Sequence, residues 1–263
     1  MVKNLKIYKD FNISRKFNNS IILIGNFDGL HLGHQKLFKI ARKYKLRKKL
    51  KLGVITFDPI PKMFFNPKFK NYRISNFNQK IEILKSYNID FIINKKFDKK
   101  FSKTKYTNFI KNVLYKKIKP RYIFVSDNFR FGNKREGDVS SLKQFEKIYG
   151  YKIINPSPLK KNLKIVSSTL IRKYLSEGKI KVANKYLDRN WSIEGLVKIG
   201  RRMGRQIGFP TCNIDIGDYI ISKPGVYSVK VKIGKNNKKH NGIANIGYRP
   251  VSYTHLRAHE TVL

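Results

Sequence analysis

Residues 25 to 37 read GNFDGLHLGHQKL, and this stretch holds His31 and His34, two of only five histidines in a chain rich in lysine. Glycines at 25, 29 and 33 let backbone approach a ligand closely, at a point where a helix would begin and its free N–H groups would point outward. Two imidazoles at that turn can donate hydrogen bonds to phosphate oxygens. The alternative is one surface histidine and one satisfied in the core. A second group lies far along the chain. In VSSTLIRKYL (166 to 175), Ser167, Ser168 and Thr169 place hydroxyls at the start of a predicted helix, with Arg172 one turn on. Hydroxyls, helix N–H groups and a guanidinium together suit the outer phosphates of a nucleotide. Taken alone, the serines and threonine also read as plain helix caps.

These residues need a scaffold, and the first half of the chain supplies a pattern for one. IILIGNF (21 to 27), LGVITF (52 to 57), IDFIIN (89 to 94) and RYIFVS (121 to 126) read as buried strands. Between them, apolar spacing predicts helices from Gly33 to about Lys48, around Gln79 to Tyr87 and around Tyr106 to Lys117. Strands alternating with helices predict an α/β domain with a parallel sheet, binding ligands at the carboxyl ends of its strands. After about Leu187 the texture changes. WSIEGLVKIG, GVYSVKVKIG and NGIANIGY are glycine-bounded alternating strands without intervening helices, so an antiparallel β domain is expected from residue 188. The final residues, VSYTHLRAHETVL, contain no lysine and interrupt the strand pattern. Residues 251–263 are read as a non-native tail, set apart from domains at 1–187 and 188–250.

The His-x-Gly-His at a strand-to-helix turn, with SST and Arg172, resembles the HxGH nucleotidyltransferase superfamily and its Rossmann-like fold. Further motifs narrow the resemblance. SDNFRFGNKREGDVSSL (126 to 142) and TFDPIPKMFF (56 to 65) are similar to segments of the prokaryotic bifunctional riboflavin kinase and FAD synthetase family, except that Ile60 stands where the family has histidine. GRQIGFPTCNI (204 to 214), GVYSV and GIANIGYRP resemble its kinase part, an antiparallel β-barrel that here is only partial.

The resemblance implies adenylyl transfer from ATP to FMN, with His31, His34 and Arg172 catalytic. Gly25, Asn26, Phe27, Asp28, Gly29, Asn128, Ser167, Ser168 and Thr169 become candidate nucleotide or flavin contacts. Asp28 is either a polar ligand to nucleotide or metal, or a helix cap. Phe129 and Phe131 are either part of the flavin site or ordinary core. In the kinase part Gly208, Thr211 and Asn213 are candidate ATP contacts, with Thr211 and Asn213 as oxygen ligands for Mg²⁺, a hard cation. Riboflavin is the implied kinase substrate. The family's kinase barrel extends beyond the matched motifs and there supplies a glutamate base, a role not carried onto Glu260. The kinase part is therefore expected to be truncated and inactive.

Lys and Arg total 58 against 16 Asp and Glu, a formal charge of +42, which on its own suggests a polyanion partner. The basic residues are scattered among Asn, Ile, Tyr and Phe rather than gathered on one arm. All five types use A/T-rich codons, so compositional background is the favoured reading and no specific nucleic acid is expected. Other adenylyltransferases of the superfamily would explain the histidines but not GFPTCNI, and a basic RNA-binding protein would explain the charge but not the ordered motifs. A class I aminoacyl-tRNA synthetase would need a KMSKS-like loop that is not evident. One cysteine, Cys212, permits no intrachain disulfide, and no apolar run approaches membrane-spanning length. A soluble cytoplasmic protein acting on small molecules is the expectation.

Overall fold

The computed structural model describes residues 5–198, 211–234, 238–247 and 255–259, the last segment and residue 211 as backbone. Packing divides the chain into two units, one of residues 1–69 with 77–168, the other of 70–76 with 169–263. The sequence reading set its boundary at 187/188.

The first unit is built on a six-stranded parallel sheet. Its strands are β1 (Lys6–Tyr8), β2 (Ile21–Ile24), β3 (Leu52–Asp58), β4 (Phe91–Lys96), β5 (Tyr122–Phe124) and β6 (Lys152–Ile154), in the order β1-β4-β3-β2-β5-β6. Helix α1 (Leu32–Lys48) follows β2, and α2 (Pro61–Phe65) and α3 (Phe77–Lys85) follow β3. Between β4 and β5 come α4 (Lys99–Ser102) and α5 (Tyr106–Asn108), the latter running on into a π-wound segment, Phe109–Ile118. Before β6 come α6 (Val139–Gln144) and α7 (Glu146–Tyr149); a small hairpin, β7 (Lys160–Lys161) with β8 (Lys164–Ile165), leads into α8 (Ser168–Ser176).

Because strand side chains alternate between faces, the sheet feeds two apolar layers. Ile22, Ile24, Ile55, Phe91, Ile93 and Ile123 pack with Ile110, Val113, Leu114 and Leu142 on one side. Ile21, Leu23, Val54, Ile92 and Phe124 pack with Leu37, Phe38, Ala41 and Leu84 on the other. IILI carries no polar residue because β2 is covered on both faces and paired on both edges. Helix α1 stops where Lys49 turns left-handed, at φ 52°, behind a last turn holding Lys45, Arg47 and Lys48, cations that suit the negative end of the helix dipole.

The amino end of α6 shows a reciprocal cap. Asp138 Oδ1 accepts from the Ser141 backbone N–H at 2.8 Å, Ser141 Oγ lies 3.3 Å from the Asp138 N–H, and Arg130 donates to Oδ2 at 2.7 Å. The Ser141 N–H, first among these, holds the Asp138 carboxyl below its ordinary value of 3.8. A depressed folded-state pKa gives stability that is present above the ordinary value and is lost as pH falls through the folded one. The melting-temperature gap between wild type and Asp138→Ala should therefore be widest at neutral pH and close as pH is taken below 3.8. A gap unchanged down to pH 2 to 3 would contradict this linkage (about one unit of range is needed to see it).

In the second unit, segment 70–76 is stitched to residues 217–220. Asn71 Nδ2 donates to the Gly217 carbonyl at 2.9 Å, Tyr72 and Arg73 N–H to that of Asp218, and the Arg73 guanidinium to the Asp218 carboxylate. Trp191 Nε1 donates to the Ile74 carbonyl at 2.9 Å. Helix α9 (Ile180–Leu187) buries Ala183, Tyr186 and Leu187. The sheet is antiparallel, with β9 (Val197–Lys198), β10 (Thr211–Ile214), β11 (Gly225–Val231), β12 (His240–Gly247) and β13 (His255–His259) in the order β11-β12-β13-β10-β9. Ile216, Ala244 and Ile246 form its small core with Tyr227 and Val229. The sequence reading kept 251–263 outside the fold. The backbone of His255–His259 instead pairs with both β10 and β12. Ladder bonds come from main-chain N–H and C=O groups, so weak side-chain alternation did not signal this strand.

Candidate functional site

In the first unit's sheet, the chain leaves β2 toward β3 on one side and later returns to β5 on the other. Such a reversal, at the carboxyl ends of β2 and β5, is the place where open α/β sheets bind ligands. Two sequence-singled segments leave those ends: GNFDGLH from β2 and SDNFRF from β5.

The expected strand through Phe27 ends at Ile24, and Gly25 to Leu30 form the turn. Phe27 adopts φ 48° and ψ 37°, a left-handed conformation that costs a residue with a Cβ on the order of 1 kcal/mol. Burial of its ring holds it there: Phe27 is 2% exposed, edge-on to Phe38 at 5.0 Å and to His34 at 5.3 Å. Gly29 takes φ 75°, and Leu30 takes φ 40° with its side chain fully buried.

The cap of α1 is His31: its Nδ1 accepts from the His34 N–H at 3.4 Å. Asp28 is thus not the cap of that helix. With Nδ1 accepting, a neutral His31 ring carries its proton on Nε2. The rings of His31 and His34 stack with centroids 3.7 Å apart at 21°, so the two imidazoles form one unit, and His31 is only 5% exposed. Gly33 is required by two neighbours. A Cβ there would sit 3.0 Å from the Val166 carbonyl oxygen and 3.1 Å from the His31 ring. This close approach brings the 166–168 segment against the histidine turn, and Ser168 Oγ donates to the Asp28 carbonyl at 2.9 Å.

Thr169 and Arg172 continue along α8 but pack with the second unit. Arg172 is 9% exposed; its guanidinium lies 3.6 Å over the Tyr72 ring, and Nε donates to the Tyr72 carbonyl at 2.8 Å. Asn128 is exposed in the loop after β5, where its Oδ1 accepts from Ser126 Oγ at 3.1 Å. Phe129 and Phe131 are half-buried, stacked at 5.5 Å and packed on the core layer that holds Ile123. Ile60, at the family's histidine position, is buried at 3% exposure. In the second unit Thr211 and Asn213 occupy alternate positions of β10, opposite His259 and Arg257. Gly208 lies outside the described residues. Among the described residues no three His, Cys, Asp or Glu side chains gather as a metal site.

The FAD synthetase family model matches residues 13–170, and the riboflavin kinase model residues 187–263. A relative from Buchnera aphidicola subsp. Schizaphis graminum named bifunctional riboflavin kinase/FMN adenylyltransferase is 42% identical over 259 residues, covering 97% of this chain and 82% of that one. The chain belongs to the bifunctional riboflavin kinase/FMN adenylyltransferase family. An Escherichia coli K12 member of the same name is 33% identical over 230 residues, covering 88% of this chain and 73% of its own. A solved structure described as a macrolide-efflux protein from Streptococcus pneumoniae is 26% identical with a TM-score of 0.81, covering 96% of this chain and 82% of that one. Among the described residues no helix is long and apolar enough to cross a membrane.

Within this family member, sequence reasoning passed over two residues that touch the histidine turn. Thr56 Oγ1 donates to the Asn26 carbonyl at 3.2 Å, and Lys80 Nζ donates to that same carbonyl at 2.8 Å and to Thr56 Oγ1 at 3.0 Å. A signal existed. Lys80 sits four residues before Leu84 and three after Phe77, on the apolar stripe of α3, where a solvated lysine does not belong.

Proposed function

We propose that the first unit transfers the adenylyl group of ATP to FMN. A phosphate oxygen of FMN attacks the α-phosphorus in line; the bond from that phosphorus to the bridging oxygen breaks, and pyrophosphate leaves with its electron pair. The nucleophile is already ionised at neutral pH, so no base is needed. Catalysis reduces to positioning and to stabilising charge on the transferring group. The observation that carries this reading is the stacked His31–His34 pair, clamped through Gly33 against the 166–168 segment beside the sheet's switch point.

In this reading the Nε2–H of His31 and the ring of His34 donate to oxygens of the transferring phosphoryl group. Gly25 to Gly29 present backbone to the nucleotide. Ser167 and Ser168 present hydroxyls to the departing pyrophosphate. Asn128 contributes to the flavin side. Mg²⁺ suits the oxygen-rich donors: phosphate oxygens in the first unit and Thr211 and Asn213 in the second, where with Gly208 they would hold ATP. When bound, it neutralises phosphate charge. ATP, FMN and riboflavin are the partners, in the cytoplasm, and the scattered lysines serve no specific nucleic acid.

The test is incubation with FMN, Mg²⁺ and ATP labelled at either the α- or γ-phosphate. The α-label should appear in FAD and the γ-label in pyrophosphate; no FAD would overturn the assignment. For the second unit, the matched motifs include no glutamate suited to serve as base toward riboflavin's hydroxyl, a neutral alcohol that benefits from one. Riboflavin with ATP and Mg²⁺ should therefore yield no FMN, and FMN formation by the purified chain would refute this part.

A further inference from the structure

The first unit buries two lysines against the same layer of the sheet, at opposite ends of the strands. Lys45, 7% exposed, reaches the amino ends. Its Nζ pairs with Asp90 at 2.7 Å and donates to the Asn88 carbonyl at 2.6 Å, while Asp90 also accepts from the Leu52 N–H where β3 begins. This is a fold-holding ion pair. Lys80, 2% exposed, reaches the carboxyl ends instead, where the nucleotide turn leaves β2.

Two donors meet at one atom. The Asn26 carbonyl oxygen receives Lys80 Nζ and Thr56 Oγ1, and these two donors are themselves hydrogen-bonded, closing a three-membered ring of contacts. Asn26 is the residue immediately before left-handed Phe27, so fixing its peptide fixes the direction in which the chain enters the turn carrying Asp28, Gly29 and His31. Burying a lysine amino group is costly unless it is well hydrogen-bonded. A methionine would fill the same apolar stripe without that cost but could not donate to the Asn26 carbonyl.

We infer that Lys80 is a positioning residue for adenylyl transfer, acting through the Asn26 carbonyl on the His31–His34 turn. The inference rests on the function proposed above. A misplacement of about 1 Å at reacting groups costs about 100-fold in rate. Loss of Lys80 should accordingly appear in kcat for FAD formation, with the KM for FMN changed by less than about threefold.

The experiment uses the full chain with Lys80→Met, Lys80→Arg and Lys45→Met, assayed at 20 °C on the folded fraction isolated by size exclusion. Lys80→Met should lower kcat about 100-fold, Lys80→Arg should recover at least a tenth of the wild-type rate by restoring a donor, and Lys45→Met should lower the melting temperature while keeping kcat per folded molecule. The inference is overturned by a Lys80→Met kcat within threefold of wild type, by a loss confined to FMN KM, by an equal kcat loss in Lys45→Met, or by failure of both Lys80 variants to fold, which would make the residue a structural one. A wild-type chain that forms no FAD would instead overturn the function itself.

Discussion

His31→Ala should reduce FAD formation by about 100- to 1,000-fold, the loss seen when one preorganised donor to a developing charge is removed. The imidazole is nearly enclosed, so its Nε2–H would act in a medium of low effective dielectric, where one hydrogen bond to a phosphoryl oxygen counts for more than in water. The substitution also removes the cap of α1, at a cost of about 1 kcal/mol in stability. The two consequences separate cleanly in measurement. The melting temperature should fall by a few degrees only, while kcat collapses; His34→Ala should follow with a comparable loss, because the stacked rings are set by each other. Activity within tenfold of wild type in His31→Ala would remove the histidine turn from the mechanism.

Phe91→Ala should destabilise the first unit by about 3 to 5 kcal/mol, read as a shift in the urea midpoint. Phe91 is fully buried and stacks on Phe17 with centroids 4.2 Å apart, and its register partner on β3 is Gly53. The ring lies directly over that glycine: a Cβ on Gly53 would come within 2.3 Å of Cζ. Gly53→Ala alone should therefore destabilise by about 1 to 3 kcal/mol through overpacking. In the Phe91→Ala background the same methyl enters vacated space and should cost nothing or regain part of the loss. A double-mutant cycle that came out additive within about 0.5 kcal/mol would show that the ring and glycine are not coupled as described.

Legibility in the sequence followed the strength of local patterns. IILI and LGVITF announced central strands because a strand covered on both faces is apolar almost throughout, and the one polar side chain here, Thr56, is buried with hydrogen-bond partners. β1 and β6 were passed over because KIY and KII are three-residue edge strands, paired on one side only, with Ile7 46% exposed. The apolar positions at 109, 110, 113, 114 and 118 announced a helix, yet that spacing does not distinguish α from π winding. Segment 70–76 joins the second unit through Asn71, Tyr72 and Arg73, contacts made far along the chain that no window of sequence displays.

At the candidate site, His31, Gly33 and His34 stood out because their types are chemically distinctive and closely spaced, and Ser167 and Ser168 because they stand together where a helix begins. Lys80 was hidden by its company. In a chain with 58 basic residues, treating lysine as compositional background discards the few that the fold places inside. Helical position, rather than residue type, separates Lys45 and Lys80 from the rest.

The place of β2 has a consequence for local opening. It is bonded to β3 and β5 along both edges, and its four side chains are at most 2% exposed. Its amides should be among the slowest to exchange with solvent, opening only when the whole unit unfolds. The histidine turn is the direct continuation of that strand, so fraying at β1 or β6 leaves it moored. Of the first unit's loops, the one proposed to handle phosphate is tied to the part of the sheet that should let go last.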